Sequence, residues 1–428
     1  MPQDTFSPAP VRLMPSVPLS PTLEADALAQ KLRRDGREVY HMGFGQAPFP
    51  APQRLVDALN IHAHEKSYLP VAGLPELRQA VATHQQRLIG TDPEAVDVLI
   101  APGSKLIIYA VQMAIEGDLL LPVPSWVSYA PQAAMLGQKV IPVATDLTPE
   151  GMLISGAALE RTIQDARAAG QNPTKILLNY PSNPTGLTIP QEQLQDIAKV
   201  CVAHGVTIIA DEIYGRLVFD GRYRSIARYA PDNTVVTSGL SKHLSIGGWR
   251  LGIGVVPKAI TGLFEALTGI ASETWSCVAA PIQMAAIEAY QGHEDIEEFV
   301  KDSTVIHAAV TRFVAEGLRE IGIKCLDAQG GFYLWPDFGT VADHPTSEAL
   351  SRDLMMQEGI VALPGTAFGA PPEALRLRLS TCDFDGAEAL AFLRKAGGRL
   401  TPQDVPQFAP RVAAALDGFR RFVHAQHA

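Results

Sequence analysis

Four short stretches carry residue types whose spacing suits chemistry on a small anionic ligand. Pro102-Gly103-Ser104-Lys105 follows the apolar run Val98–Ala101 and opens a helical stretch, Leu106–Ile115. A glycine turn running into a helix N-terminus leaves backbone amides free and adds a favourable dipole, which suits a phosphate. Alone the pattern is weak, because a serine there is more often an N-cap. Tyr180-Pro181-Ser182-Asn183-Pro184-Thr185-Gly186 follows the run Lys175–Asn179; its prolines stiffen it and hold Asn183 out at the strand edge. A plain turn would need only the Asn-Pro pair. Asp211-Glu212-Ile213-Tyr214 follows Val206–Ala210. A carboxylate ending a buried strand is costly to desolvate unless it meets a cation, although a lone aspartate there is ordinarily a helix N-cap. Ser238-Gly239-Leu240-Ser241-Lys242 follows Thr234–Thr237 and leads to Gly247-Gly248-Trp249-Arg250. A Ser-Lys pair is usually surface, but desolvation at a buried strand end lowers a lysine's pKa and makes it a nucleophile toward an aldehyde.

Open α/β sheets bind ligands beyond the carboxyl ends of their strands. One pocket would therefore receive an amine, a carboxylate, a phosphate cradle with a cation, a phenol and a carboxamide. That set matches a pyridine aldehyde with a phenolic oxygen and a phosphate arm. The positioning elements follow from the pattern. From Val96 onward short β-rich runs alternate with loops and helical stretches, which predicts an α/β fold with a mostly parallel sheet. Beyond about residue 310 the helical stretch Val305–Ile321 leads into strand-like Gly330–Pro336, Gly359–Pro364 and Leu375–Ser380, a smaller α+β unit. A last amphipathic helix is expected from about Val405 to Ala428. Leu23–Arg34 reads as a helix, and residues 1–21, with prolines at 2, 8, 10, 15, 18 and 21, as an extended arm.

A chain of 428 residues exceeds one ordinary core and predicts two domains. With 47% hydrophobic and 19% charged residues it is globular rather than disordered. A net charge of −10 argues against general affinity for nucleic acid or anionic membranes, though not against a small anion held by a few arginines. No apolar run reaches membrane-spanning length, and Met1–Pro21 lacks a signal-peptide core. Cys201, Cys277, Cys325 and Cys382 lie far apart and read as reduced, packed thiols of a cytosolic protein. The histidines are scattered, and no metal is expected.

In this order the motifs resemble fold-type-I pyridoxal-phosphate-dependent aminotransferases of the class I/II family, from about residue 38 to residue 395. The resemblance implies an aspartate-aminotransferase-like chain with a mostly parallel, seven-stranded-type sheet. That sheet lies in a large cofactor-binding domain (61–309), beside a smaller α+β domain from both chain ends (22–60 and 310–428). It further implies that Lys242 holds pyridoxal 5′-phosphate covalently and shuttles a proton, and that Asp211 pairs with the pyridinium nitrogen. Tyr214 and Asn183 would bond the phenolic oxygen, and Trp126 would stack on the ring. Gly103, Ser104, Lys105 and Arg250 would hold the phosphate. Tyr68 would reach the phosphate site of a partner subunit, which implies a homodimer with shared sites. Gly45, Trp126, Asn183 and Arg378 would receive the substrate, Arg378 clamping its α-carboxylate as a planar guanidinium does best. Arg376, two residues earlier, would share its strand face.

Two departures stand out. Gly239 occupies a position where many members carry a phosphate-binding serine or threonine, leaving Ser238 or Ser241 as substitutes. Gly45-Gln46-Ala47 replaces the usual Gly-Glu-Pro. The implied reaction moves an amino group between an L-amino acid and a 2-oxo acid in the cytoplasm, with aspartate, glutamate or aromatic donors. Lys105 aligns with a lysine that binds a distal carboxylate in one aspartate subgroup, the alternative being that only its amide touches phosphate. Leu263–Met284 holds no Arg or Lys, and Trp275 there would favour a bulky or aromatic side chain. A C–S β-lyase would share the constellation. A pyridoxal-phosphate-sensing regulator would need a helix-turn-helix module, for which the residues before Leu23 are too few. A catalytically dead binding protein would have lost Lys242 or Asp211.

Overall fold

The computed structural model describes residues 21–426. The arm expected over residues 1–21 lies outside them except for Pro21, which begins helix α1 (Pro21–Arg34). Seven strands form the main sheet: β1 (Val96–Ala101), β2 (Asp118–Pro122), β3 (Val140–Val143), β4 (Pro173–Asn179), β5 (Thr207–Asp211), β6 (Thr234–Gly239) and β7 (Gly252–Pro257). Their order is β1-β7-β6-β5-β4-β2-β3. All pairings are parallel except those of β7, which runs antiparallel to β1 and β6. Successive side chains leave a strand on opposite faces. Leu120, Ile176, Leu178, Ile208 and Ala210 enter one core, and Leu119, Leu121, Leu177 and Ile209 the core on the other face. Strands covered on both sides show water no face, which is why these runs read as continuous rather than alternating.

Residues near both chain ends build a second core. A three-stranded sheet, β8 (Tyr333–Leu334), β9 (Leu363–Pro364) and β10 (Leu377–Ser380), has β10 in its centre. Leu377 and Leu379 pack there with Met42, Phe49, Leu416 and Phe419. Of the Gly330–Pro336 stretch only Tyr333–Leu334 is strand.

Three helices depart from their sequence-based expectation. Helix α2 (Gln53–His62), expected with the smaller unit, packs on α3 (Ala280–Tyr290) and sends Leu55 into the core of the main sheet. The helix expected over Val305–Ile321 begins at Glu294 and runs to Glu320, as α4. Its Ile296 and Val300 lie in the main core and its Ile306, Val310 and Val314 in the second, so one continuous helix crosses both. The last helix is broken into Val405–Phe408 and Pro410–Gln426. Proline disfavours helical geometry in the residue before it, and Ala409 stands at φ −129°, ψ 57°.

Candidate active site

The carboxyl ends of β1, β4, β5 and β6 share one edge of the sheet, because β1 regains their sense through the antiparallel β7. A cavity of about 440 Å³ opens there. Gly45, Gly103, Ser104, Lys105, Trp126, Asn183, Asp211, Tyr214, Lys242, Arg250 and Arg378 all line it.

Lys242 Nζ donates to the Gly45 carbonyl at 2.7 Å and lies 5.8 Å from the Tyr214 ring centre and 5.7 Å from that of Phe332. Burial lowers its pKa to about 8; Arg378 and Arg250 act the same way, against the pull of Cys382 and Asp211. Asp211 is buried; its Oδ2 accepts the Tyr129 hydroxyl at 2.6 Å and its Oδ1 the Ile213 amide at 3.3 Å. Burial pushes its carboxyl up to about 6, the hydrogen bonds and Lys242 opposing. Asn179, paired with Asp211 across β4 and β5, donates to the Asp211 carbonyl at 2.8 Å and accepts the Asn183 amide at 2.8 Å. One carboxamide thus sets both arms. Glu212, facing away, accepts the hydroxyls of Tyr180 and Tyr223 and ties the Asn183 turn to the end of β5.

Glycines shape the anion end. Gly103 sits at φ +93°, and a Cβ there would come within 2.5 Å of Arg250 Nη2. A Cβ on Gly252 would collide with the Ser104 amide, so β7 can start against the turn only because it has none. Arg250 donates to the carbonyls of Gly247 at 2.8 Å and Pro102 at 3.3 Å, which aims it at this turn. Gly239 has no room for a side chain, its Cβ position lying 2.6 Å from the Leu251 carbonyl oxygen. Of the two serines expected to substitute, Ser241 lines the cavity, whereas Ser238 bonds the Glu212 carbonyl at 3.4 Å.

At the opposite end Arg378, 1% exposed, stands on β10. Its Nη1 donates to Asn183 Oδ1 at 3.3 Å and its Nη2 to the Gly43 carbonyl, while Nε has no partner among the described residues. The guanidinium lies 4.7 Å from the Tyr333 ring centre and 5.2 Å from that of Phe368. Arg376 instead pairs with Asp337 at 3.1 Å and lines a separate cleft. Lys105 Nζ lies 4.8 Å over the Trp126 ring, its pKa lowered by burial and by Arg250.

Two further residues expected at the site lie elsewhere. Tyr68 is 93% exposed and outside the cavity. Trp275 packs on the core that holds Leu263 and Leu267 rather than on the cavity wall, so it does not shape this protomer's side-chain pocket. Tyr129, Asn179 and Tyr333 also line the cavity, beyond the residues expected there. Their local signals are slight: Tyr129 lies three residues beyond Trp126, Asn179 is a polar strand end like Asp211, and Tyr333 follows the Gly330-Gly331 pair.

The family model for class I and II aminotransferases matches residues 37–391. An aspartate aminotransferase of Geobacillus stearothermophilus is 32% identical over 376 residues, covering 85% of this chain and 92% of that one. An asparagine–oxo-acid transaminase of Streptococcus mutans is 31% identical, covering 88% and 97%. The structure of a Thermus thermophilus aspartate aminotransferase with maleate superposes with a TM-score of 0.81 at 26% identity, covering 97% of this chain and all of the other.

Proposed function

The chain belongs to the class I and II aminotransferases, and we propose that its preferred amino donor is a dicarboxylic L-amino acid, aspartate first. It moves an amino group between an L-amino acid and a 2-oxo acid, with pyridoxal 5′-phosphate as cofactor. The observation that carries the substrate reading is Lys105, whose ammonium stands in the cavity over Trp126 with no acceptor or ion-pair partner among the described residues. A second carboxylate would supply that partner. The names of the relatives support this, as does maleate, a four-carbon dicarboxylate, in the Thermus structure. Aromatic donors stand second, favoured by the Trp126 face beside Lys105.

The cavity fits the cofactor. Its glycine turn is bare of Cβ atoms where amides and Arg250 converge, and a buried carboxylate, Asp211, stands at the other side needing a cation. When bound, pyridoxal phosphate supplies an electron-withdrawing ring that stabilises negative charge at the substrate Cα. In our reading Lys242 holds it and then takes and returns the Cα proton, a task suited to an amine whose pKa is lowered to about 8. Asp211 keeps the ring nitrogen protonated, and Tyr129 and Asn179 hold Asp211. Tyr214 and Asn183 bond the phenolic oxygen, and Trp126 covers the ring face. The amides of Gly103, Ser104 and Lys105, with Arg250 and Ser241, hold the phosphate. Arg378 and Asn183 receive the α-carboxylate, and Gly45, whose missing side chain admits the Tyr333 hydroxyl, lines the space beside it.

Three further features belong to this proposal. The exposed Tyr68 supports a homodimer in which it completes a partner's phosphate site. The two cores support two domains, with the main-sheet domain starting near α2 rather than at 61. The four unbridged cysteines support a cytoplasmic enzyme.

The test is an absorbance scan of the cofactor-loaded protein with amino acids added singly. Aspartate and glutamate are expected to bleach the visible band most efficiently. A protein bleached by phenylalanine but not by aspartate would overturn the substrate reading, and pyruvate plus ammonia released without an oxo-acid acceptor would point to the β-lyase instead. Lys105→Met is expected to lower kcat/KM for aspartate about 10–100-fold while sparing phenylalanine, the worth of one charge-assisted hydrogen bond.

A further inference from the structure

The Tyr214 hydroxyl carries one proton, and among the described residues its side-chain partner is the Tyr333 hydroxyl, 3.0 Å away. Tyr333 is placed with little freedom. Its backbone pairs with Ser380 in β10, its ring meets Phe332 and Tyr214, and the Arg378 guanidinium covers its face. Its hydroxyl fills the space beside Gly45 that a Cβ would otherwise claim. Burial raises both phenols, Tyr214 the further; Arg378 opposes it in both, and in Tyr333, whose ring it covers, it is the largest influence after burial. The phenol beneath the cation is therefore the better donor of the two.

We infer that Tyr333 is a positioning residue, whose hydroxyl donates to the Tyr214 hydroxyl and so turns the Tyr214 proton toward the phenolic oxygen of the cofactor. This rests on the assignment of Tyr214 proposed above. The bond joins β8 to the loop after β5, and both rings pack in one small cluster with Ala47, Ile213, Leu217 and Phe332, so the placement of β8 sets the donor strength of the phenol beyond β5. The charged or titratable groups facing the pair are Arg378, Lys242, Asp211, Cys382 and Tyr129; Tyr129 donates to Asp211, and among the described residues none of the five bonds the Tyr214 hydroxyl.

The test is a pH titration of the visible absorbance of the cofactor-loaded protein. A donor to the phenolic oxygen stabilises its negative charge, and losing that donor makes the Lys242–cofactor link hold its proton to higher pH. Tyr214→Phe is expected to raise the midpoint by about one unit and Tyr333→Phe by roughly half a unit. The Tyr214→Phe/Tyr333→Phe double variant is expected to titrate with Tyr214→Phe alone, because Tyr333 acts through that hydroxyl. If Tyr214→Phe raises the midpoint but Tyr333→Phe leaves it in place, or if the two shifts add, the positioning role fails while the Tyr214 assignment stands. A midpoint unmoved by Tyr214→Phe would sink both.

Discussion

An aspartate that is 3% exposed, with its carboxyl pushed up to about 6 by burial, is a liability in the cofactor-free protein at neutral pH. Its folded pKa lies above the 3.8 of a free aspartate, so its contribution to stability is fully present below about pH 3.8 and is lost as pH rises through 6. Asp211→Asn should therefore stabilise the cofactor-free protein at pH 8 by about 1–3 kcal/mol. The gain should shrink toward pH 4, measured by thermal unfolding at both pH values. The same variant should lower kcat at least roughly 100-fold, since an amide cannot hold the ring nitrogen protonated. Arg378→Lys keeps the charge but loses the fork; kcat/KM for every donor is expected to fall about 30–300-fold in steady-state kinetics. These two residues were legible in the sequence because each lies in a short local string. Tyr129 and Tyr333 were not, because what defines them is a hydrogen bond to a residue 82 or 119 positions away.

Strand ends carried most of what the sequence revealed at the next scale up. The runs before Pro102, Tyr180, Asp211 and Ser238 all lead to the cavity, since strands covered on both faces are continuous apolar words bounded by polar loops. Helix limits were harder to read. The start of α4 is acidic at Glu294, Asp295, Glu297 and Glu298, which favours the helix dipole, and its apolar stripe there is short, Ile296, Phe299 and Val300. Gly239 shows what sequence could not supply: whether a missing phosphate ligand is a loss or a geometric necessity. With the Leu251 oxygen 2.6 Å from its Cβ position and Gly252 Cα 3.2 Å away, Gly239→Ser must push β7 from β6. Restoring the family's hydroxyl should therefore destabilise the protein by about 1–3 kcal/mol, as overpacking does, and loosen rather than tighten cofactor retention. Thermal unfolding and cofactor titration check both parts.

Across the whole molecule the site lies where two cores meet: β5 and β6 bring Asp211 and Lys242, β10 brings Arg378, and α4 runs through both cores. Within one protomer this leaves Tyr68 with nothing to do, its side chain 93% exposed and away from the cavity. If Tyr68 completes the phosphate site of a partner, its loss and the loss of Lys242 damage different halves of a shared site. Tyr68→Ala is then expected to weaken cofactor retention about 10-fold, although the residue touches nothing in its own cavity. Lys242→Ala should abolish activity outright. In a hybrid dimer of the two variants, the intact Lys242 of one chain meets the intact Tyr68 of the other, and both lesions fall in the second site. Random reassortment of equal amounts makes half of the dimers hybrid, each with one whole site, so about a quarter of all sites should be restored. Unfolding and refolding the variants together should thus give more activity, and tighter cofactor retention, than the sum of the two refolded apart. Activity that never exceeds that sum would leave each protomer working with its own residues alone.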